Sequence, residues 1–291
     1  MSYGEIIGLA CAFIWAFNGL VLRQQLQQVP PMLANAVRCG TAGLCFVGLL
    51  LVAGPPLASF GQVPAVEWAL LLGSVTIGLV IGDTLYLHAI KRIGAARTLA
   101  LVGIHPLTTL FFEWLLLDRL VGWSLLAGCC LVVAGVVCLS QEHGARQDRG
   151  PMLGKGALLA LAAAVMWGLS TVMLDPAMRH LEPIQANCVR LPFVALVLLS
   201  VQRGVGGAAG WPPLQGRALA IVAATGLLGM GVGSWMYLTA LDLIGPTKTA
   251  TLSSASPVFG LVLALFFRQE RLHGRLVVGV LLCVGGVWLV V

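Results

Sequence analysis

Apolar residues run along this chain in blocks near the length of about 20 residues that crosses a bilayer as a helix. The blocks cover 4–22, 32–53, 66–90, 96–117 and 122–140, and then 155–174, 186–202, 216–241, 247–267 and 275–291. None alternates with the period of two that a barrel strand needs. In lipid the backbone must satisfy its own hydrogen bonds, so the pattern predicts an all-α polytopic membrane protein with ten transmembrane helices. The first block follows MSYGE, which carries Glu5 and neither Lys nor Arg, and is read as a retained span and not as a cleaved signal peptide.

The blocks form two copies of one unit. Trp15, Pro31, Ala34, Asn35, Val37 and Arg38 recur about 152 residues on as Trp167, Pro183, Ala186, Asn187, Val189 and Arg190. With the offset relaxed to about 151, Gly78, Gly82, Tyr86, Gly94, Thr98 and Pro106 meet Gly229, Gly233, Tyr237, Gly245, Thr249 and Pro257. This divides the chain into a first five-helix repeat (1–141), a linker (142–153) and a second five-helix repeat (154–291). A unit with an odd number of spans ends on the side opposite its start, so the second copy enters from the other face. The expectation is a pair of inverted repeats with a binding site near the midplane between them.

Composition agrees with membrane residence: 59% of residues are hydrophobic, 10% are charged, and mean hydropathy is +0.96. The cysteines lie inside apolar blocks without CxxC or His–Cys spacing, and the histidines are scattered, so neither a metal nor a cofactor is implied. The net charge of +6 reflects loops. Arg23, Lys91, Arg92, Arg97, Arg146, Arg149, Lys155, Arg203, Arg217, Arg268, Arg271 and Arg275 fall on one side, against Arg119, Arg179 and Lys248 on the side of the termini. By the positive-inside rule the termini would lie outside. No basic segment is interleaved with exposed aromatics, so the expected partners are a small-molecule substrate and membrane lipid, with no nucleic acid. Monomer and homodimer are both open.

Ionisable groups inside spans are costly, by about 2.5–3.5 kcal/mol each at a helix centre, and point to function by default. Arg38 and Asp83 both lie about 10 Å deep from one side at 1.5 Å per residue, close enough to pair. The alternatives are that Arg38 snorkels and that Asp83 is satisfied by hydroxyls such as Thr84. Arg190 repeats Arg38, but Ser234 stands where the second copy would carry Asp83, leaving Glu113 as a candidate counter-ion. Tyr86 shares a helix face with Asp83. Pro106 and Pro257 are expected to kink their helices, with His105 and nearby hydroxyls meeting the freed carbonyls or lining a cavity. Trp15 with Asn18 and Trp167 with Ser170 set an aromatic and a polar group three residues apart on one face. The paired GxxxG patterns at Gly78–Gly82 and Gly229–Gly233 predict close helix approach. The candidate substrate-binding set is therefore Trp15, Asn18, Asn35, Arg38, Asp83, Tyr86, His105, Trp167, Ser170, Asn187, Arg190, Ser234 and Tyr237.

The two five-helix copies resemble the ten-helix EamA-type exporters of the drug/metabolite transporter superfamily. The segments that carry the likeness are GDTLYLHAI, KRIGAARTLA and HP in the first copy, and GVGSWMYLTALDLIGPTKTATLSSASPVF and FFRQERLHGRLVVGVLLCVGG in the second. The resemblance implies a cavity lined by spans 1 to 4 and 6 to 9, alternating access, and export of small metabolites such as amino acids across the cell inner membrane. It also implies termini in the cytoplasm, opposite to the charge count, which leaves orientation and transport direction open. The first span lacks the membrane-embedded acid that small four-helix relatives use for proton exchange, so Asp83 is the candidate should transport be proton-coupled. The rival readings are an intramembrane enzyme acting on lipid, for which no HxxxD, HExxH or GxSxG is present, and a non-transporting helical scaffold.

Overall fold

The computed structural model describes residues 1–25, 28–54, 57–120, 122–140, 151–206, 216–266 and 274–291. Every regular element among them is helical. The first half comprises α1 (Tyr3–Gln25), α2 (Pro31–Ala53), a 3-10 turn (Leu57–Gln62), α3 (Ala65–Val75), a π segment (Thr76–Gly82), α4 (Asp83–Ile93), α5 (Ala95–Val102), α6 (His105–Leu117) and α7 (Trp123–Ser140). The second comprises α8 (Pro151–Ala177), α9 (Pro183–Gly206), α10 (Gly216–Thr225), a second π segment (Gly226–Gly233), α11 (Ser234–Ile244), α12 (Pro246–Ser253), α13 (Ser256–Phe266) and α14 (Gly274–Val290). The linker expected over 142–153 lies outside the described residues up to 150, and 151–153 already belong to α8.

Among the described residues seven segments are long and apolar enough to cross a membrane: Tyr3–Leu22, Pro31–Val52, Ala65–Ile93, Arg97–Leu117, Gly154–Ala177, Pro183–Gly204 and Gly216–Ile244. Trp123–Leu139 and Gly274–Val290 are shorter apolar helices. Large apolar side chains such as Leu44, Val52, Trp123, Leu281 and Trp288 point outward, while Asn35, Arg38, Asp83, Asn187 and Arg190 are buried. A periphery of hydrocarbon around a polar interior suits lipid as the solvent, and the chain is a polytopic membrane protein.

Each half sends its first helix into the other. α1 packs on α10, the second π segment, α11, α12 and α13, whereas α8 packs on α3, the first π segment, α4, α5 and α6. α2 lies against α9, and α7 against α14. Small residues set these distances: a Cβ on Gly135 would stand 2.7 Å from both the Cys283 nitrogen and the Gly279 oxygen, and one on Gly286 2.7 Å from the Gly128 oxygen. Without water to drive helices together, such backbone approach supplies the van der Waals contact that holds them.

Two local features depart from the helices read in the sequence. Pro106 and Pro257 stand just after breaks between helices and not inside continuous ones. α5 ends at Val102 and α6 restarts at His105, and α12 ends at Ser253 with α13 restarting at Ser256. Both prolines thus occupy the first turn of a new helix, where the missing N–H costs nothing. The Thr108 and Thr109 hydroxyls donate to the His105 carbonyl, and Thr108 also lies 2.9 Å from the Ala164 carbonyl of α8. The GxxxG patterns meanwhile sit in wide π turns and not in regular α-helix. At the turns between α4 and α5 and between α11 and α12, Gly94 (φ 82°) and Gly245 (φ 80°) adopt a backbone that glycine alone adopts without strain.

Candidate functional site

The π segments organise the interior. Where the hydrogen-bond ladder widens, a carbonyl loses its regular partner, and a π turn commonly marks a functional position. In the first half the Ser74 carbonyl takes the Ser170 hydroxyl from α8 (2.8 Å). In the second the Thr225 carbonyl takes the Asn18 amide from α1 (2.8 Å), with the carboxamide turned so that its oxygen faces Arg38 Nη2 (3.3 Å). Ser74 and Thr225 are matched by the repeat offset, as are Ser170 and Asn18 up to residue type. The glycines of the π turns make this possible: a Cβ on Gly78 would clash with Ser170 Oγ, and one on Gly229 would stand 2.5 Å from the Asn18 carboxamide.

The indoles come next along the same faces. Trp167 Nε1 donates to Asp83 Oδ1 at 2.9 Å, and Tyr86 and His105 pack on that indole with ring centroids 5.1 Å and 6.0 Å away. Asp83 is held by an aromatic donor from the other half, and not by the Thr84 hydroxyl, which has no partner. Trp15 lies against Gly233 as Trp167 lies against Gly82. Lacking an acid to meet, it donates to the Gly229 carbonyl (3.1 Å) and stacks on Tyr237 at 5.3 Å. The Tyr237 hydroxyl shares a 2.8 Å hydrogen bond with Thr171.

Between these two aromatic groups stand α2 and α9. Asn35 donates to the Leu79 carbonyl (2.9 Å) and accepts from the Cys39 thiol, so its amide is satisfied on both sides. Asn187, its counterpart, accepts from Ser234 Oγ (2.9 Å) and Arg190 Nη1 (3.3 Å), while its own Nδ2 is buried without a partner. Arg38 Nε and Arg190 Nε are likewise buried and unpartnered. Arg38 and Asp83 stop short of ion-pair contact, although the charge of Arg38 is felt at Asp83 and Tyr86. Cys39 and Leu191, the chain neighbours of Arg38 and Arg190, are buried in one cluster where α2 meets α9, and Asn35 of the same α2 reaches the Leu79 carbonyl just ahead of Asp83. There the two cations outnumber the acid.

Glu113 is not the counter-ion of Arg190. Its carboxylate accepts from Arg119 Nη1 (3.1 Å) and from the backbone and hydroxyl of Thr247. Arg119 also reaches Asp175 (2.7 Å), Lys248 lies 3.6 Å from Glu5, and His180 lies 2.7 Å from Glu67. Among the described residues none of these close contacts between basic and acidic side chains involves Arg38, Asp83 or Arg190. The sequence reading missed Ser74, Thr171 and Thr225. The repeat offset alone pairs Ser74 with Thr225, whereas nothing in sequence links Thr171 to Tyr237.

Comparison with known proteins agrees with this architecture. The profile of the EamA-like transporter family matches residues 2–141 and again 154–291. An uncharacterized transporter of Archaeoglobus fulgidus is 26% identical over 94% of this chain and 93% of its own. A probable amino-acid metabolite efflux pump of Escherichia coli is 26% identical over 98% of this chain and 93% of its own. A solved structure, 22% identical, superposes with a TM-score of 0.79 over 99% of this chain and 97% of that one, a likeness that speaks for the fold. With the family profile met twice and nearly the whole chain covered, this protein belongs to the EamA-like transporter family and is a membrane transporter.

Proposed function

We propose that the protein is an exporter of small polar or amphiphilic metabolites such as amino acids and related carboxylates, working by alternating access as a multi-pass protein of the cell inner membrane. In this reading ten spans form two five-helix repeats of opposite orientation, over 1–141 and 154–291. Their support is the matched order of elements, with π segments, positive-φ glycines and broken spans at equivalent places, and the reciprocal packing of α1 and α8. An all-helical chain favours the inner membrane over an outer membrane of barrels. The substrate class draws on the name of the Escherichia coli relative and on the chemistry of the interior.

One observation carries the reading: charged and polar groups of both halves converge inside a lipid-facing shell with hydrogen-bonding atoms left unmet. Each such atom costs about 1–3 kcal/mol, which a scaffold would avoid and a binding site recovers when substrate arrives. Arg38 and Arg190 attract the anionic part, Asp83 acts as counter-ion or proton acceptor, and Trp15, Trp167, Tyr86 and Tyr237 form the walls. The test screens purified protein against metabolites for thermal stabilisation and carries hits into counterflow assays in liposomes. Asp83→Asn should abolish or uncouple transport while the protein still folds. Unaltered transport by that variant would make Asp83 a structural residue only.

A further inference from the structure

The two halves place the same Asn and Arg, one turn apart, in different company. In the first half Asp83 stands as an acid held by Trp167, and Asn35 is hydrogen-bonded through both its nitrogen and its oxygen. In the second, Ser234 stands at the position of Asp83 and brings a hydroxyl without a charge. Among the described residues no carboxylate closes to ion-pair distance on either arginine, but the second half carries no acid at the Asp83 position at all, and only 4% of Arg190 is exposed. Arg190 Nε and Asn187 Nδ2 are both buried N–H groups without an acceptor. Arginine carries no acceptor and cannot give up its charge, so what the place lacks is an anion.

We propose that Asn187, Arg190 and Ser234 form a carboxylate subsite, in which the substrate's own carboxylate takes the place that Asp83 holds in the first half. This rests on the transporter reading and sharpens it. Both arginines draw the anion into the interior, and its carboxylate seats on Arg190, because the first half already carries an acid in Asp83 and Arg38 Nη2 faces Asn18. A planar guanidinium with Nε and one Nη along one edge suits a carboxylate, and the unmet Asn187 amide adds a third donor. The substrate class is an organic monocarboxylate, amino acids included. Trp15, stacked on Tyr237 one turn along α11 from Ser234, offers an apolar wall for the rest of the molecule.

Three probes of one shape separate the possibilities: L-phenylalanine, 3-phenylpropanoate and L-phenylalaninamide, each measured by thermal stabilisation of purified protein and by counterflow in liposomes. The natural chain should prefer both carboxylates to the amide by about tenfold or more, the size of a hydrogen bond to a charged group. Ser234→Asp, which supplies the missing acid from within, should erase that preference and leave the protein folded. Ser234→Asn, of the aspartate's shape and neutral, is the control for bulk: it weakens binding of all three probes but should lower the acid-over-amide preference distinctly less than Ser234→Asp. Equal loss in both Ser234 variants, or none in either, overturns the subsite. Should the aspartate variant fail to fold, Arg190→Gln decides: loss of the acid-over-amide preference supports the subsite, and its survival removes it. Transport of the amide as readily as the acids leaves the transporter reading intact and sinks the carboxylate subsite. Movement of none of the three by folded protein counts against both.

Discussion

Replacing Glu113 with alanine should destabilise the folded protein by about 1–3 kcal/mol, chiefly by uncapping a helix in the other half. α12 begins after Gly245, which has no side chain to cap with, and Pro246 has no N–H, so the first donor that needs a partner is the Thr247 amide. Glu113 Oε2 provides it at 3.0 Å and also accepts the Thr247 hydroxyl. A cap contributes about 0.5–2 kcal/mol, and an anion at a helix N-terminus adds about 0.3–1 kcal/mol. The Arg119 pair adds at most about 1 kcal/mol, because Arg119 is 48% exposed and keeps Asp175. Thermal unfolding in detergent, followed by tryptophan fluorescence, should show a midpoint lowered by several degrees for Glu113→Ala. Arg119→Ala should lower it distinctly less, and Glu113→Gln, which keeps an acceptor without the charge, should fall between. If Arg119→Ala cost as much as Glu113→Ala, the ion pair and not the cap would be the stabilising contact, and the reasoning would fail.

Adjacent glycines of α14 provide a sharper contrast. A Cβ on Gly286 meets the Gly128 oxygen and Val132 nitrogen at 2.7 Å, whereas one on Gly285 meets nothing within 4 Å. Gly286→Ala should therefore cost about 1–3 kcal/mol through forced separation of α7 and α14, while Gly285→Ala should be neutral or stabilising by up to about 1 kcal/mol; paired denaturation curves compare them, and equal effects would refute the packing. Trp167→Phe strips the buried Asp83 carboxylate of its 2.9 Å donor and should cost about 1–3 kcal/mol. Trp15→Phe, which frees only the neutral Gly229 carbonyl, should cost less by the same unfolding measurement.

Much of this protein is legible before any coordinates. Apolar blocks of bilayer length read as helices because lipid offers a backbone no other partner, and that inference does not depend on which helix lies beside which. The repeat offset exposed the equivalence of Trp15 with Trp167, Asn35 with Asn187 and Arg38 with Arg190, and so singled out the residues that converge inside. It also exposed the asymmetry of Asp83 and Ser234. The local form of the interior was less legible. Apolar periodicity cannot separate an α turn from a π turn, so Gly78, Gly82, Gly229 and Gly233 read as regular helix contacts. Pro106 and Pro257 read as kinks because sequence does not show that Ile104 and Ala255 tighten to i−3 bonds just before each helix restarts.

Which polar groups meet was decided by the tertiary structure. Trp167 reaches Asp83, Glu113 caps α12, and Asn18 faces Arg38 across helices far apart in sequence. A hydrogen bond needs its atoms about 3 Å apart and aligned, and a residue's depth in a span fixes neither the rotation of its helix nor its neighbour. Sequence therefore determined the helical class, the duplication and the inventory of costly buried groups, because these follow from lipid as solvent and from residue identity alone. Structure decided their pairing, and with it that Trp167 holds Asp83 while the Nε of Arg38 and of Arg190 are left unmet, because that depends on how the two copies interlock.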